Sequence, residues 1–389
     1  MGNEAALVIE DVGPIGRTEL LVGQHLTVLV GPQAVGKSLI LQLFKVFHDG
    51  PRMVRELRQQ GFSVDTGERI IDQFLGEGMH SAMGPSSRVT FAGKELQMEA
   101  LIERRGVGRS VESCFYIPAH RALALAEGWP VPFAGFRQAP PYVVRRYSQD
   151  VLDLLQKQLV RGVVFPRPRK LPLEYQESLS QAIFHGGQLI VDTQGPRKQL
   201  VLSYGEAKVS SLAWTAGQRE LVPLLLGLYR LIPSGQKTKR PGVDWVVLEE
   251  PEMGLHPKAV RAVMALVLEL IHRGYRILLS THSPSVLDLI WGLKRLSETT
   301  GKGWLGGVAR LLDIEVPEKF PPMFQSALEL DAKVYAIDFA GDRTRSWDIS
   351  SLDPSSEDEV ISGWGGLSGI SSEIGSVVCE AVNRAGTGE

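Results

Sequence analysis

Residues 31–38 combine glycine, lysine and serine in a spacing suited to phosphate binding. They read Gly-Pro-Gln-Ala-Val-Gly-Lys-Ser and match the pattern G-x-x-x-x-G-K-[ST]. Such glycines let backbone N–H groups turn inward around phosphate oxygens, while the lysine reaches the β- and γ-phosphates and the final hydroxyl can bind Mg²⁺. The residues expected to contact a nucleotide are Gly31, Gln33, Val35, Gly36, Lys37 and Ser38.

The segments on either side of this loop match the context that the motif needs. Residues 26–30 are apolar and predict a buried strand, and residues 39–59 predict a helix. A helix N-terminus adds a favourable dipole for an anion. The alternative is a chance match of the motif in a glycine-rich loop. A chance match would not account for the strand and helix predicted on either side.

A second candidate element is an apolar run that ends in acids, Val-Val-Leu-Glu-Glu-Pro-Glu at residues 246–252. At the end of a strand, Glu249 can hold Mg²⁺ directly or through water, and Glu250 can polarise the attacking water. In isolation this would be a strand capped by solvated acids. Beside a phosphate loop it predicts the hydrolytic part of a nucleotide site.

Two further segments complete the pattern. His282 follows a predicted buried strand at residues 276–280, so it should lie at the carboxyl edge of the sheet, where ligands bind in open α/β folds. The sequence Thr-Ala-Gly-Gln at residues 215–218 opens a predicted helix that runs to Leu231. Thr215 can cap this helix, and its N-terminus could also bind an anion.

In this order the segments resemble the head domains of ABC-type ATPases, and in particular the OLD-like, predicted ATP-binding branch common in bacterial anti-phage operons. The sequence Gly-Leu-His-Pro at residues 254–257 and the segments 13–15 and 117–121 also look like that branch. The resemblance covers roughly residues 5–290.

The resemblance implies two heads that sandwich two ATP molecules. In one subunit, Lys37 and Ser38 bind ATP and Mg²⁺, Glu249 also serves the metal, and Glu250 and His282 are catalytic. The residues that contact the γ-phosphate bound to the other subunit are then Thr215, Gly217 and Gln218. A homo-oligomer built on this head dimer is the implied assembly.

Three positions depart from the family pattern. Gln33 stands where Asn is common, Thr215-Ala216 replaces a pair of small serines, and Glu249 replaces the Asp of transporters. The Gln-loop of the family is left unassigned, with Gln97 and Gln138 as weak candidates.

The predicted fold is α/β, a P-loop ABC-type ATPase head with a mixed sheet, an N-terminal antiparallel β part, a helical insertion and a small C-terminal extension. We expect an ATPase lobe over residues 1–126, the helical insertion over 127–187, a second ATPase lobe over 188–299 and the extension over 300–389. A further strand is predicted at 333–339.

Composition excludes several other classes of protein. The 389 residues are 43% hydrophobic and 22% charged. The net charge is −2, so the chain has no overall positive charge that would indicate nucleic-acid binding. Cys114 and Cys379 form neither a metal site nor a disulfide framework. No secretory signal and no apolar run of membrane-spanning length is evident, which predicts a cytoplasmic protein without a membrane partner.

What the chain does with ATP has two competing answers. Residues 290–389 lack the Asp-x-Asp of a Toprim nuclease, showing only scattered acids such as Asp313, Glu318, Asp331, Asp338 and Asp342. The first hypothesis is therefore a defence ATPase that controls a separate effector protein.

The alternative is a RecF-like DNA-repair or chromosome-maintenance ATPase. Its DNA face would comprise the basic clusters at 145–146, 161–170 and 237–240. A non-hydrolysing scaffold and a transporter ATPase fit the motifs less well.

Overall fold

The computed structural model describes residues 5–103, 111–125, 127–136, 140–167, 171–195, 197–233, 238–300, 304–315 and 319–367. Cys379 and the Gln-loop candidate Gln138 lie outside these residues, as do Lys237 and residues 168–170 of the basic clusters.

The described strands form two sheets. In chain order they are β1 Ala5–Val12, β2 Ile15–Val22, β3 Leu26–Val30, β4 Met83–Phe91, β5 Lys94–Glu95, β6 Cys114–Ile117, β7 Gly162–Phe165, β8 Gln188–Asp192, β9 Gln199–Tyr204, β10 Ala207–Ser210, β11 Trp245–Glu249, β12 Arg276–Thr281, β13 Ala332–Ala340 and β14 Arg343–Asp348. The main sheet has ten strands in the order β5-β4-β1-β2-β14-β13-β3-β12-β11-β6. The second has four antiparallel strands in the order β10-β9-β8-β7.

The described α-helices surround these sheets. They are α1 Lys37–Gln59, α2 Gly67–Leu75, α3 Met98–Glu103, α4 Tyr142–Lys157, α5 Leu173–Leu179, α6 Ala216–Leu231, α7 Pro257–His272, α8 Pro284–Thr300, α9 Leu305–Leu311, α10 Pro322–Leu328 and α11 Glu359–Ser362. A 3-10 turn, Arg121–Leu125, follows β6. None of the described helices is long and apolar enough to cross a membrane.

The main sheet is mixed, as predicted. Strands β13, β3, β12, β11 and β6 are parallel to one another, and every residue of β3, β11 and β6 is buried, which fits strands covered on both faces. At the N-terminus, β1 pairs antiparallel with β2 and β4, which confirms the antiparallel part of the prediction.

The C-terminal part of the chain completes the middle of this sheet. Strand β13 pairs in parallel with β3, and β14 pairs in parallel with β2. The predicted strand at 333–339 is therefore confirmed, and it joins the antiparallel and parallel halves of the sheet. This also places strand β13 directly beside the phosphate loop.

Short connections shape several of these elements. Strands β4 and β5 form a hairpin through a two-residue turn, in which Ala92 and Gly93 both adopt positive φ angles. Between α5 and residue 185 the helix continues as a π-helical turn at Ser180–Phe184. Strand β7, within the stretch 127–187, pairs with β8, so that stretch also contributes to the small sheet.

A buried ionic cluster anchors α1 to the adjacent strand. Lys45 is completely buried, with its Nζ atom 2.7 Å from Asp49 Oδ2 and 2.9 Å from Glu112 Oε1. Asp49 Oδ1 accepts hydrogen bonds from the backbone N–H and hydroxyl of Ser113 at the start of β6. Arg240 also lies 3.4 Å from Glu112 Oε2. These contacts hold helix α1, which follows the phosphate loop, against the main sheet at β6.

We expect Glu112→Gln to lower the free energy of unfolding by roughly 3–5 kcal/mol, because it leaves buried cations without their counter-charge. Burial alone would raise the pKa of Glu112, but Lys45 and the neighbouring arginines lower it to about 2 from an ordinary 4.5. As pH falls, Glu112 is protonated in the unfolded chain before it is protonated in the folded protein. The stabilisation from its ion pairs is therefore lost between about pH 4.5 and about pH 2.

Denaturant unfolding of both proteins between pH 7 and pH 3 tests this prediction. Glu298→Gln is the matched control, since its ion pair with Arg295 is 45% exposed on both sides and should contribute less than about 1 kcal/mol. Equal stabilities for the Glu112 and Glu298 variants would contradict the prediction.

Candidate functional site

The loop after β3 has a backbone shaped for close approach. Gly31 and Gly36 both adopt positive φ angles, of 149° and 94°. A Cβ atom on Gly31 would lie 2.0 Å from the carbonyl oxygen of Ile337 in β13, so only glycine fits there. Gly36 caps α1 in a left-handed conformation, and the first turn of α1 has no acidic residue, which leaves the N-terminus suited to an anion.

Lys37 lies inside this loop. Its Nζ atom donates hydrogen bonds to the carbonyl oxygens of Gly31, at 2.8 Å, and Pro32, at 2.6 Å. Burial lowers the pKa of Lys37 to about 8, while the charges of Glu250, Glu252 and Asp338 act in the opposite direction. Three carboxylates therefore act on the ammonium through their charge, and one of them, Asp338, belongs to strand β13.

Glu249 ends β11 and is buried. Its Oε2 atom accepts a hydrogen bond from the backbone N–H of Ala119 at 2.9 Å, whereas Oε1 is buried without a well-formed hydrogen bond among the described residues. Burial raises the pKa of Glu249, and the N–H of Ala119 and the hydroxyls of Ser38 and Tyr116 oppose this shift. The carboxylate thus lies within reach of the Ser38 hydroxyl, and one of its two oxygens has no strict hydrogen bond among the described residues.

Glu250 and His282 face each other at the carboxyl edge of the sheet. His282 Nε2 lies 3.0 Å from Glu250 Oε1. Glu252 Oε1 accepts hydrogen bonds from the backbone N–H of His282, at 2.9 Å, and from the hydroxyl of Thr281, at 2.6 Å. Glu252 therefore holds the segment that carries the histidine. The sequence pattern alone assigns Glu252 no role.

Lys37, Ser38, Glu250 and His282 open into one cavity of about 470 Å³, whereas the predicted metal residue Glu249 does not belong to its lining. Its phosphate-loop side is lined by Gln33, Ala34, Gly36, Lys37 and Ser38, with Glu250 and His282 opposite. The rest of the lining comprises Pro14, Leu39, Gln42, Leu75 and Met79. The lining is therefore polar at the phosphate loop, Glu250 and His282. The remaining lining residues are apolar except for Gln42, which contributes an amide.

Two predicted residues of the phosphate loop support it without lining the cavity. Val35 is completely buried in the core beneath the loop, and Gly31 packs against β13. Among the Gln-loop candidates, Gln97 is exposed and does not line the cavity. Gln42 on α1 does line it, and its position one turn after Ser38 was the signal in the sequence that could have indicated this.

The start of α6 lies outside this cavity. The Thr215 side chain accepts a hydrogen bond from the Gln218 backbone N–H, and Gln218 Oε1 accepts one from the Thr215 N–H, which forms a capping box. Gly217 packs against Gly254, whose carbonyl oxygen would lie 3.1 Å from a Cβ atom at position 217. The predicted capping role of Thr215 is confirmed. The structure does not bring residues 215–218 to the phosphate loop of the same chain.

One of the basic clusters proposed for DNA is not a surface feature, and that prediction is wrong. Arg145 is buried, with its guanidinium over the ring of Phe62. Arg146 makes ion pairs with Glu56 and Asp150. Runs of basic residues do not show which way the side chains point, and here α4 turns both towards the protein interior. Lys239, by contrast, forms a surface ion pair with Asp244 at 2.8 Å.

A family model described as "AAA domain, putative AbiEii toxin, Type IV TA system" matches residues 149–288. The match includes Thr215, Glu249, Glu250 and His282 but not the phosphate loop, which rests on its own motif and geometry. Together the loop, its strand and helix, and this match support a P-loop ATPase. No curated protein matches this sequence.

Several solved structures are similar in fold to this chain. An SMC head bound to the C-terminal winged-helix domain of ScpA has a TM-score of 0.44 at 10% identity, covering 88% of this chain and 96% of that one. The SMC head domain from Thermotoga maritima has a TM-score of 0.37 at 11% identity, covering 88% and 97%. A dimeric bacterial ABC transporter cassette has a TM-score of 0.33 at 12% identity, covering 72% and 90%.

Proposed function

We propose that this chain is an ATP-binding and ATP-hydrolysing subunit of a bacterial defence system, which pairs through its ATPase heads and controls a separate effector in the cytoplasm. The observation that carries the enzymatic part is the single cavity in which Lys37 and Ser38 face the Glu250–His282 pair. Phosphoryl transfer requires charge neutralisation and an aligned water molecule, and these side chains are of the types that supply both.

Each residue has a distinct task in this proposal. Lys37 neutralises the β- and γ-phosphates, and the N–H groups of the loop and of the first turn of α1 donate to phosphate oxygens. Glu250 accepts a proton from water, and His282, 3.0 Å away, orients the carboxylate or contacts the γ-phosphate. The apolar walls formed by Leu75 and Met79 accommodate the nucleobase.

The residues present fit a magnesium ion. Ser38 and Glu249 are oxygen donors of the kind that Mg²⁺ prefers, and within the described part of the chain one buried oxygen of Glu249 makes no strict hydrogen bond. When bound, the ion would neutralise charge on the β- and γ-phosphates. The described residues contain no separate group of three His, Cys, Asp or Glu side chains suited to a metal, so a nucleotide would have to complete the coordination.

Pairing of two heads is proposed because Thr215, Gly217 and Gln218 lie outside the cavity of their own chain. A capped helix start with a close-approach glycine is suited to an anion presented by a second subunit. The defence role is supported by the description of the matching family and by the motif order. The DNA-repair alternative loses one of its three basic clusters, since Arg145 and Arg146 are turned inward.

Mass photometry tests the assembly. The wild-type protein and Glu250→Gln are measured with and without ATP and Mg²⁺, alone and with the product of the neighbouring gene. ATP-dependent doubling of the mass and recruitment of the neighbour support the proposal. A constant mass and no recruitment would contradict it, and salt-dependent DNA binding by the same samples would favour the alternative.

A further inference from the structure

Arg121 is a fully buried arginine that makes three directed hydrogen bonds next to the proposed active site. It lies in the 3-10 turn after β6. Its Nε atom donates to the carbonyl oxygen of Glu220 at 3.1 Å, one terminal nitrogen to that of Glu249 at 3.0 Å, and the other to that of Glu250 at 3.2 Å. A guanidinium removed from water requires such hydrogen-bond acceptors, so the three carbonyl oxygens fix the position of the Arg121 side chain.

The acceptors at Glu249 and Glu250 lie at a strained point of the backbone. Glu250 has a φ angle of 42°, in the left-handed region that residues with a side chain rarely adopt. Its backbone N–H donates to the carbonyl oxygen of Ser280, and its carbonyl oxygen accepts from Arg121. In this backbone conformation the Glu250 carboxylate lies 3.0 Å from His282 Nε2, so contacts that hold the backbone also bear on the position of the carboxylate.

The third acceptor belongs to a different element. Glu220 lies in the first turns of α6, just after Thr215 and Gly217, and its carboxylate oxygen Oε2 is also 3.4 Å from Arg121. The neighbouring Gly254 packs against the same turn. One guanidinium therefore links the start of α6 to the backbone of both acidic residues at the end of β11.

We propose that Arg121 is a positioning residue for ATP hydrolysis. It holds the Glu249–Glu250 backbone in the conformation that directs the Glu250 carboxylate, and it ties that conformation to the start of α6. The inference rests on the proposed ATPase function. Lysine cannot replace it, because one ammonium group does not present a planar fork to three carbonyl oxygens.

The test compares Arg121→Ala and Arg121→Lys with Arg145→Ala in the full-length protein. Arg145 is the matched control, because it is equally buried but donates to Gln73 and lies over Phe62. Steady-state ATPase assays give kcat and KM, and thermal unfolding gives Tm. We expect both Arg121 variants to lower kcat by about 100-fold with little change in KM, as a misplaced catalytic group does. Arg145→Ala should lower Tm while kcat per folded molecule stays close to wild type.

Each other result overturns a defined part of this reasoning. If Arg121→Lys keeps the wild-type kcat, or if Arg121→Ala and Arg145→Ala lower kcat equally, Arg121 is a structural residue only. If Arg121→Ala does not fold, the lysine variant decides. A wild-type protein that binds ATP but does not hydrolyse it would instead refute the proposed enzymatic function, and the inference with it.

Discussion

Replacing Glu250 with Gln is expected to lower the rate of ATP hydrolysis by about 10²- to 10⁴-fold while nucleotide affinity stays near wild type. The amide keeps the shape of the side chain and its contact with His282, which lies 3.0 Å from Glu250 Oε1, but it cannot accept a proton from water. Because binding persists without turnover, ATP-bound assemblies should accumulate. Single-turnover phosphate release and equilibrium nucleotide binding measure the two effects separately.

Glu298→Gln is the control for this substitution, since it makes the same chemical change on the protein surface. Its turnover should equal that of the wild-type protein. Unchanged hydrolysis in Glu250→Gln would remove Glu250 as the group that activates water. A parallel loss of nucleotide affinity would mean that the substitution disturbs the phosphate loop as well.

Lys37→Ala should weaken ATP binding by at least about 100-fold. The ammonium can make several charge-assisted hydrogen bonds to phosphate oxygens, and each factor of ten in affinity corresponds to about 1.4 kcal/mol. Its removal should not unfold the protein, because the hydrogen bonds of its side chain within the described residues go to carbonyl groups of its own loop, and burial lowers its pKa to about 8. Isothermal titration calorimetry with ATP and Mg²⁺ measures the affinity.

Lys94→Ala is the control for Lys37→Ala. It removes the same charge, but from an exposed side chain on the short strand β5. Its affinity for ATP should match that of the wild-type protein. If Lys37→Ala binds ATP as tightly as Lys94→Ala, the phosphate-binding role of the loop is refuted.

The elements that hold the site could be predicted locally. Strand β3, helix α1 and strand β11 have apolar patterns and flanking glycines that specify them within a few residues. Their boundaries shift by one or two residues where a cap decides the end, as at Gly36, which precedes α1. Such signals are short in range, so a single sequence contains them.

Contacts between distant segments were the part that sequence reasoning missed. Asp338 counted only as a scattered acid, yet β13 pairs with β3 and brings its charge close to Lys37. The sequence around Arg121 indicates a family-like segment and no role for the arginine, which donates hydrogen bonds to residues about 100 and 130 positions later. No local periodicity encodes such pairings.

The sequence by itself determined the chemistry available to this protein: a phosphate loop, an acidic pair at a strand end and a histidine after the next strand. These depend on residue type and short spacing, which a linear chain displays directly. Only the tertiary structure decided how they are arranged. It placed the C-terminal strands in the middle of the main sheet, turned Arg145 and Arg146 inward, and set Arg121 against the Glu249–Glu250 backbone. The physical reason is that sheet order and the burial of charge depend on which surfaces meet, and residues hundreds of positions apart contribute to each of those surfaces.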